Sequence, residues 1–169
     1  GLGAMGLRHA PLVMQSNGGV VSVATVRKTP INTFLSGPAG GVVAAANLAA
    51  QAGQPNLIAF DMGGTSTDVS LIRGGMPTKR GLVEIAGFPV RVPTLDIHTI
   101  GAGGGSMAWV DPGGLLKVGP YSAGADPGPA LYGRGGTEAT VTDANVLLGR
   151  LSGNALIGGA MDVYPEKSE

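Results

Sequence analysis

Cysteine is absent from the 169 residues, which excludes a disulfide scaffold and any thiolate nucleophile or ligand. Aromatic residues are scarce: one Trp, three Tyr and three Phe make 4% of the chain. Charge is scarce too, at 13%, where soluble domains carry about 25%. The 11 basic and 11 acidic residues cancel, so the basic surplus that a nucleic-acid clamp uses to neutralise phosphates is missing. No apolar run approaches the roughly 18 residues of a membrane span. No basic stretch followed by an apolar run reads as a signal peptide. These absences predict a cytoplasmic protein with neither nucleic acid nor membrane as partner.

Glycine, with 31 residues, and proline, with 12, make about a quarter of the chain, a level at which disorder is a fair expectation. A hydrophobic fraction of 43%, a mean hydropathy of +0.25 and zero net charge point the other way, because disordered chains combine low hydrophobicity with high net charge. A glycine-rich, charge-poor surface predicts that much of it is covered by further chain or by partners, self-association included.

Residues 11–15 read as a short buried strand stopped by the turn Ser16-Asn17-Gly18-Gly19. Residues 22–29 read as a helix capped by Ser22 and ended by Pro30, and 31–35 as extended chain. Ser36 is the expected N-cap of an apolar, alanine-rich helix over 38–52, with Gly53 as its stop. Residues 56–62 read as a fully buried strand. Residues 67–72 alternate, and further strands are expected over 78–86, 89–93 and 95–100, giving an antiparallel meander. Strands over 106–110 and 114–118 bracket the turn Asp111-Pro112-Gly113-Gly114. A loop follows over 119–136, then a helix over 142–151 capped by Thr142. Residues 152–169 form a tail, disordered or truncated, behind a domain over 1–151.

The informative stretch is Leu57 to Ile72. A strand ends in Asp61, then Gly63-Gly64 and the hydroxyl residues Thr65, Ser66 and Thr67, then Asp68 on the returning strand. Glycines let backbone N–H groups approach an anion, and hydroxyls add donors. Carboxylates belong near phosphate only through Mg²⁺ or its waters. The stretch therefore reads as a hairpin for Mg²⁺ and nucleotide phosphates, with Asp61 on the water shell of the metal. A plain Gly-Gly hairpin with solvated acids is the alternative, and no Walker A pattern is present.

Phe60-Asp-Met-Gly-Gly-Thr-Ser-Thr-Asp-Val69 resembles the second phosphate loop of the actin-like ATPase superfamily. The chain as a whole resembles the hydantoinase A/5-oxoprolinase family. The matching stretches are 14–19, 35–42, 60–69, His98-Thr-Ile-Gly-Ala-Gly-Gly-Gly-Ser106, Ser122 to Ala130 and Val141-Thr-Asp-Ala-Asn145, in family order. The resemblance implies an α/β, RNase H-like lobe: a mixed sheet with a three-strand antiparallel meander flanked by helices. It implies ATP and Mg as cofactors and a small cyclic amide, of the hydantoin or 5-oxoproline type, as substrate. Phosphorylation of the amide oxygen would make a poor electrophile reactive, with catalysis resting on positioning and charge neutralisation. The catalytic residues so implied are Asp61 and Asp68. Gly63, Gly64, Thr65, Ser66 and Thr67 would bind the cofactor, as would Gly103, Gly104, Gly105 and Ser106 on the second glycine loop.

Family members close ATP between two lobes, and no early Asp-x-Gly-Thr strand stands before Pro55. The chain therefore reads as a fragment, inactive alone, whose partners are a missing N-terminal lobe and a hydantoinase B-type subunit. A ketone carboxylase subunit and a non-catalytic interaction module are the alternatives; a peptide-binding chaperone ATPase is disfavoured by residues 119–145. A tight turn is the plain alternative for 101–106. Asp96, His98 and Asp126 are a weak metal triad. Asp126-Pro127-Gly128-Pro129 lines a cleft or sets a corner. Asp143 is explained by its place at a helix N-terminus, Trp109 by packing, and Gly40 and Gly41 by close helix packing. Leu131 stands where many family members carry Cys, which removes any thiolate role at that position.

Overall fold

Asn17 and Gly18 fold the N-terminal segment back on itself. Asn17 Oδ1 accepts from Gly19 N–H at 2.8 Å, Gln15 N–H donates to the Gly19 carbonyl at 2.7 Å, and Gly18 takes φ +84°. The computed structural model describes residues 2–85, 87–156 and 159–169. They form two compact units, Gly1–Asp61 with Asp68–His98, and Met62–Thr67 with Thr99–Glu169.

In the first unit, β1 (Leu12–Met14) pairs antiparallel with β2 (Val20–Ser22), Val13 opposite Val21, and is not buried as expected, since Leu12 at its start is exposed in this two-stranded ribbon. Helix α1 (Val23–Lys28) starts on Ser22, whose Oγ accepts from Thr25 N–H at 3.3 Å. The extended chain expected over 31–35 is instead a 3₁₀ turn, Pro30–Thr33. Pro30 presets a helical φ, and the Thr33 hydroxyl closes the turn on the Pro30 carbonyl at 2.7 Å.

Helix α2 (Ser36–Gln51) begins two residues before the expected 38. Ser36 is its first residue rather than its cap: Leu35 holds the cap position and gives no side-chain cap bond. The helix start is anchored from outside, by Leu35 N–H donating to the Ser16 hydroxyl at 3.0 Å. Its end follows expectation. Gly53 has φ +66°, and Gln54 N–H and Gly53 N–H return to the Ala49 and Ala50 carbonyls, the two bonds of a Schellman stop. Ala39 and Val42 pack with Leu95, Ile97 and Met14 in a small core.

Strands β3 (Leu57–Met62), β4 (Thr67–Arg73) and β10 (Ile97–Ile100) lie side by side with β4 in the middle. β3 is not fully buried as expected: Ile58 and Phe60 are 64% and 63% exposed. It is an edge strand, and these two side chains are left largely open. The long meander strands expected over 78–93 are broken. β5 (Met76–Pro77) adds to β4, β6 (Lys79–Arg80) pairs with β9 (Thr94–Leu95), and β7 (Val83–Ile85) pairs with β8 (Phe88–Val90). Gly81, Gly87 at φ +82° and Pro93 fall between these short ladders, since proline donates no ladder bond and glycine interrupts strands. Ala86, the last residue of the expected 78–86 strand, lies outside the described residues.

In the second unit, β11 (Ser106–Val110) and β12 (Leu116–Ser122) form an antiparallel hairpin. Its turn is Asp111, whose Oδ1 accepts from Gly113 N–H and Leu115 N–H, both at 2.9 Å. The second strand starts and ends later than the expected 114–118, taking residues 119–122 from the expected loop. The Trp109 indole N–H fixes this strand by donating to the Gly119 carbonyl at 2.8 Å.

Helix α3 (Val141–Leu147) is capped by Thr140, not Thr142, and ends before the expected 151 at Leu148, with Gly149 at φ +69°. Thr140 and Asp143 form a reciprocal capping box. Beyond it, β13 (Ala155–Leu156) pairs with β14 (Met161–Asp162), and a 3₁₀ turn spans Pro165–Lys167. Among the described residues no helix is long and apolar enough to cross a membrane.

Candidate functional site

The second unit brings the two glycine loops together. Gly104 N–H donates to the Gly63 carbonyl at 2.9 Å and Gly105 N–H to the Gly64 carbonyl at 2.7 Å. The 63–66 turn is closed by Gly63 N–H to the Ser66 carbonyl at 2.9 Å, and the Thr67 hydroxyl donates to the Ala102 carbonyl. This approach requires glycine at 103. A Cβ there would lie 2.7 Å from the Gly63 carbonyl oxygen and from Ser66 N, both backbone atoms that cannot swing away.

The bonds divide the predicted phosphate donors into two groups. Gly103 N–H is held by the Ser106 hydroxyl at 2.8 Å, and Ser106 N–H by the Gly103 carbonyl at 3.0 Å. Gly103, Gly104, Gly105 and Ser106 therefore have every N–H engaged within the chain, and Ser106 is 1% exposed. By contrast, the N–H groups of Gly64 and Thr65 and the hydroxyls of Thr65 and Ser66 take no hydrogen bond among the described residues. Gly64 and Thr65 are exposed. The first loop is thus the open one, and the second is the frame that holds it.

Gly63, Gly64 and Gly104 line an open pocket of about 410 Å³ with Met62, Tyr132, Thr142, Asn145 and Leu151. In the sequence, Asn145 stands out only as part of a matching stretch and Thr142 only as a helix cap, and nothing singles out Tyr132. Asp143, next to this wall, points away into the unit. Its Oδ1 accepts from Leu131 N–H at 2.8 Å and from the Ser168 hydroxyl at 2.8 Å; its Oδ2 accepts from Thr140 N–H and hydroxyl at 3.0 and 2.7 Å. Burial pushes this carboxyl upward, but the bonds from Thr140, Leu131 and Ser168 outweigh it and hold it below the ordinary value. Its role is structural, and larger than a helix-dipole contact.

In the first unit, Asp61 and Asp68 line one cavity of about 230 Å³ with Pro38, Gly41, Val42, Ala45, Ala59 and Phe60. Helix α2 thus forms a wall of the cavity that contains both acids. A Cβ on Gly41 would stand 3.7 Å from Asp61 Oδ2. The signal was present in sequence: two adjacent glycines inside a helix, each costing about 1 kcal/mol against alanine, with no cap to justify them. The predicted Asp96–His98–Asp126 triad does not form. Asp96 is ion-paired with Arg80 in the first unit, Asp126 belongs to the second, and among the described residues no three metal-ligating side chains cluster. Leu131 is fully buried.

The residues fit a magnesium nucleotide on two counts. Two carboxylates beside a space of about 230 Å³ suit a hard, hydrated cation, since Mg²⁺ keeps several waters and each water needs about 30 Å³. Unengaged N–H and hydroxyl donors at 64–66 suit phosphate oxygens.

The sequence profile of the hydantoinase/oxoprolinase family matches residues 6–169. The chain belongs to that family. It is 46% identical to the 5-oxoprolinase of Saccharomyces cerevisiae over 86% of the chain and 11% of that protein. Among solved structures, an ATP-dependent caprolactamase from Pseudomonas jessenii superposes with a TM-score of 0.73 and 42% identity, over 92% of this chain and 22% of that one. A nucleotide-free acetone carboxylase, an enzyme of ATP-dependent acetone carboxylation, gives 0.78 and 33% over 98% and 23%. The chain therefore spans about a quarter or less of the length of the relatives it matches.

Proposed function

We propose that this chain is part of an ATP-dependent hydrolase of cyclic amides, and that residues 61–68 are its Mg-ATP phosphate-binding hairpin within an RNase H-like, actin-like lobe. The observation that carries the reading is the contrast between the loops: donors open at Gly64, Thr65 and Ser66, donors engaged at Gly103 to Ser106. Membership of a family with 5-oxoprolinase and caprolactamase relatives supports the amide as substrate.

Gly64 and Thr65 N–H and the two hydroxyls would hold phosphate oxygens, with Gly63 shaping the turn and Thr67 tying it to Ala102. Gly103, Gly104, Gly105 and Ser106 would act one step back, keeping the open loop in place. Asp61 would orient the water shell of Mg²⁺, and Asp68 would share the same cavity. The chemistry supplied at such a site would be phosphoryl transfer that activates a carbonyl oxygen, and the fixed donors of this chain would contribute by positioning and by neutralising charge. Substrate contacts, a cytoplasmic location, further lobes and a B-type subunit belong to the whole protein in this reading.

A carboxylase subunit is the second reading. The closer backbone match to acetone carboxylase favours it, and the higher identity to caprolactamase favours the hydrolase. Calorimetric titration of Mg-ATP into the chain tests the shared part. Binding is expected, weakened about tenfold or more by Asp61→Ala, with no turnover by this chain alone. Equal binding by wild type and Asp61→Ala would move the metal contact elsewhere. No binding by a folded chain would mean that this lobe holds only half of the phosphate clamp. Restoring the remaining lobes then separates lactam-dependent from ketone-dependent ATP hydrolysis.

A further inference from the structure

Helix α2 carries glycine at 37, 40 and 41, and these positions differ in what they face. A Cβ on Gly37 or Gly40 would meet nothing within 4 Å. A Cβ on Gly41 would meet one atom within that radius, Asp61 Oδ2 at 3.7 Å. Gly41 and Asp61 line the same cavity of about 230 Å³, whose remaining walls from α2 are Pro38, Val42 and Ala45. With apolar walls on that side, the face of the carboxylate turned toward α2 meets either water or whatever Asp61 binds. Backbone geometry does not ask for glycine here, since position 41 is helical and its φ is not positive. Tight packing does not ask for it either, because 3.7 Å is an ordinary contact distance.

We propose that Gly41 is a positioning residue for the cation: its missing side chain keeps the α2-facing side of the Asp61 carboxylate open to a hydrated divalent ion, and a larger residue there closes it. The inference rests on the nucleotide reading above and adds a residue on a different element from the phosphate loop. It also gives a reason for keeping a glycine where alanine would make a better helix.

The test uses Mn²⁺-ATP as a paramagnetic probe on the ¹⁵N-labelled chain, reading broadening at the Asp61 and Asp68 amides. The variants are Gly41→Leu, Gly40→Leu, Gly41→Ala and Asp61→Ala. Gly40→Leu makes the same substitution one residue away, where no atom is met. Gly41→Ala adds only a methyl at contact distance and keeps the test available if the leucine variant does not fold. Broadening is expected in wild type and Gly40→Leu. Gly41→Leu should need about tenfold more probe or more, and Gly41→Ala an intermediate amount. A structural role alone would shift thermal stability without this pattern. Broadening in Gly41→Leu and Gly41→Ala equal to wild type, with loss in Asp61→Ala, overturns the role of Gly41 and leaves the cation site standing. Broadening that survives Asp61→Ala, or is absent at Asp61 in the folded wild type, overturns the cation site and this inference with it.

Discussion

Thr142 holds the Gly104 carbonyl twice, through its N–H at 2.8 Å and its hydroxyl at 2.9 Å. One residue of α3 thereby pins the glycine loop whose own N–H groups pin the 63–66 turn. Thr142 is 6% exposed, so water does not replace the lost bond freely. Thr142→Val keeps shape and backbone bond and removes only the hydroxyl. It should cost about 1 kcal/mol, read as a lower urea midpoint with unchanged m-value. A loss near zero would mean that the backbone bond alone holds the loop.

Gly103 and Gly101 sit two residues apart and predict opposite outcomes. A methyl at 103 would lie 2.7 Å from three backbone atoms of residues 63–66; at 101 it would meet nothing within 4 Å. Gly103→Ala should destabilise by about 1–3 kcal/mol or more, because backbone rather than a flexible side chain must move. Gly101→Ala should stay within about 0.5 kcal/mol. Chemical denaturation of both variants measures the contrast, and equal effects would remove the close approach of the two loops.

The same segments show what sequence makes legible. Turn chemistry is local, so Asn17-Gly18, Gly53 and Asp111-Pro112-Gly113-Gly114 read correctly from composition alone. The glycine loops are visible for the same reason. Which loop keeps free donors is decided by long-range bonds such as Gly105 to Gly64, and no spacing rule reveals these. Thr142 reads as a cap because it precedes an apolar run; Thr140 is the cap because Asp143, at N3 from it, completes the capping box. The apolar run 56–62 reads as buried because pattern reports what a strand is suited to bury, and an edge position is a property of the sheet.

Ile58 tests that last point. It is 64% exposed on the edge strand β3. Ile58→Thr keeps a β-branched side chain, so strand preference is little changed. At an exposed site the substitution should shift stability by no more than about 0.5 kcal/mol. A loss of about 2 kcal/mol or more would be the signature of a buried position, and would restore the interior reading of β3. Thermal and urea unfolding of this chain distinguish the two.

Asp143 should make stability fall in acid. Its folded pKa lies below the ordinary 3.8, so on acidification the unfolded state takes up this proton first. The contribution is fully present above the unfolded value and is lost as pH drops through the folded one. At neutral pH, Asp143→Asn should cost about 2–4 kcal/mol. Oδ2 receives two donors from Thr140, and an amide NH₂ in its place would face the Thr140 N–H. The gap between wild type and variant should be constant above about pH 5 and shrink below about pH 4, measured by urea unfolding across pH. A gap that stays constant down to pH 2, or that widens there, would mean that the carboxylate is not held ionised by Leu131, Thr140 and Ser168.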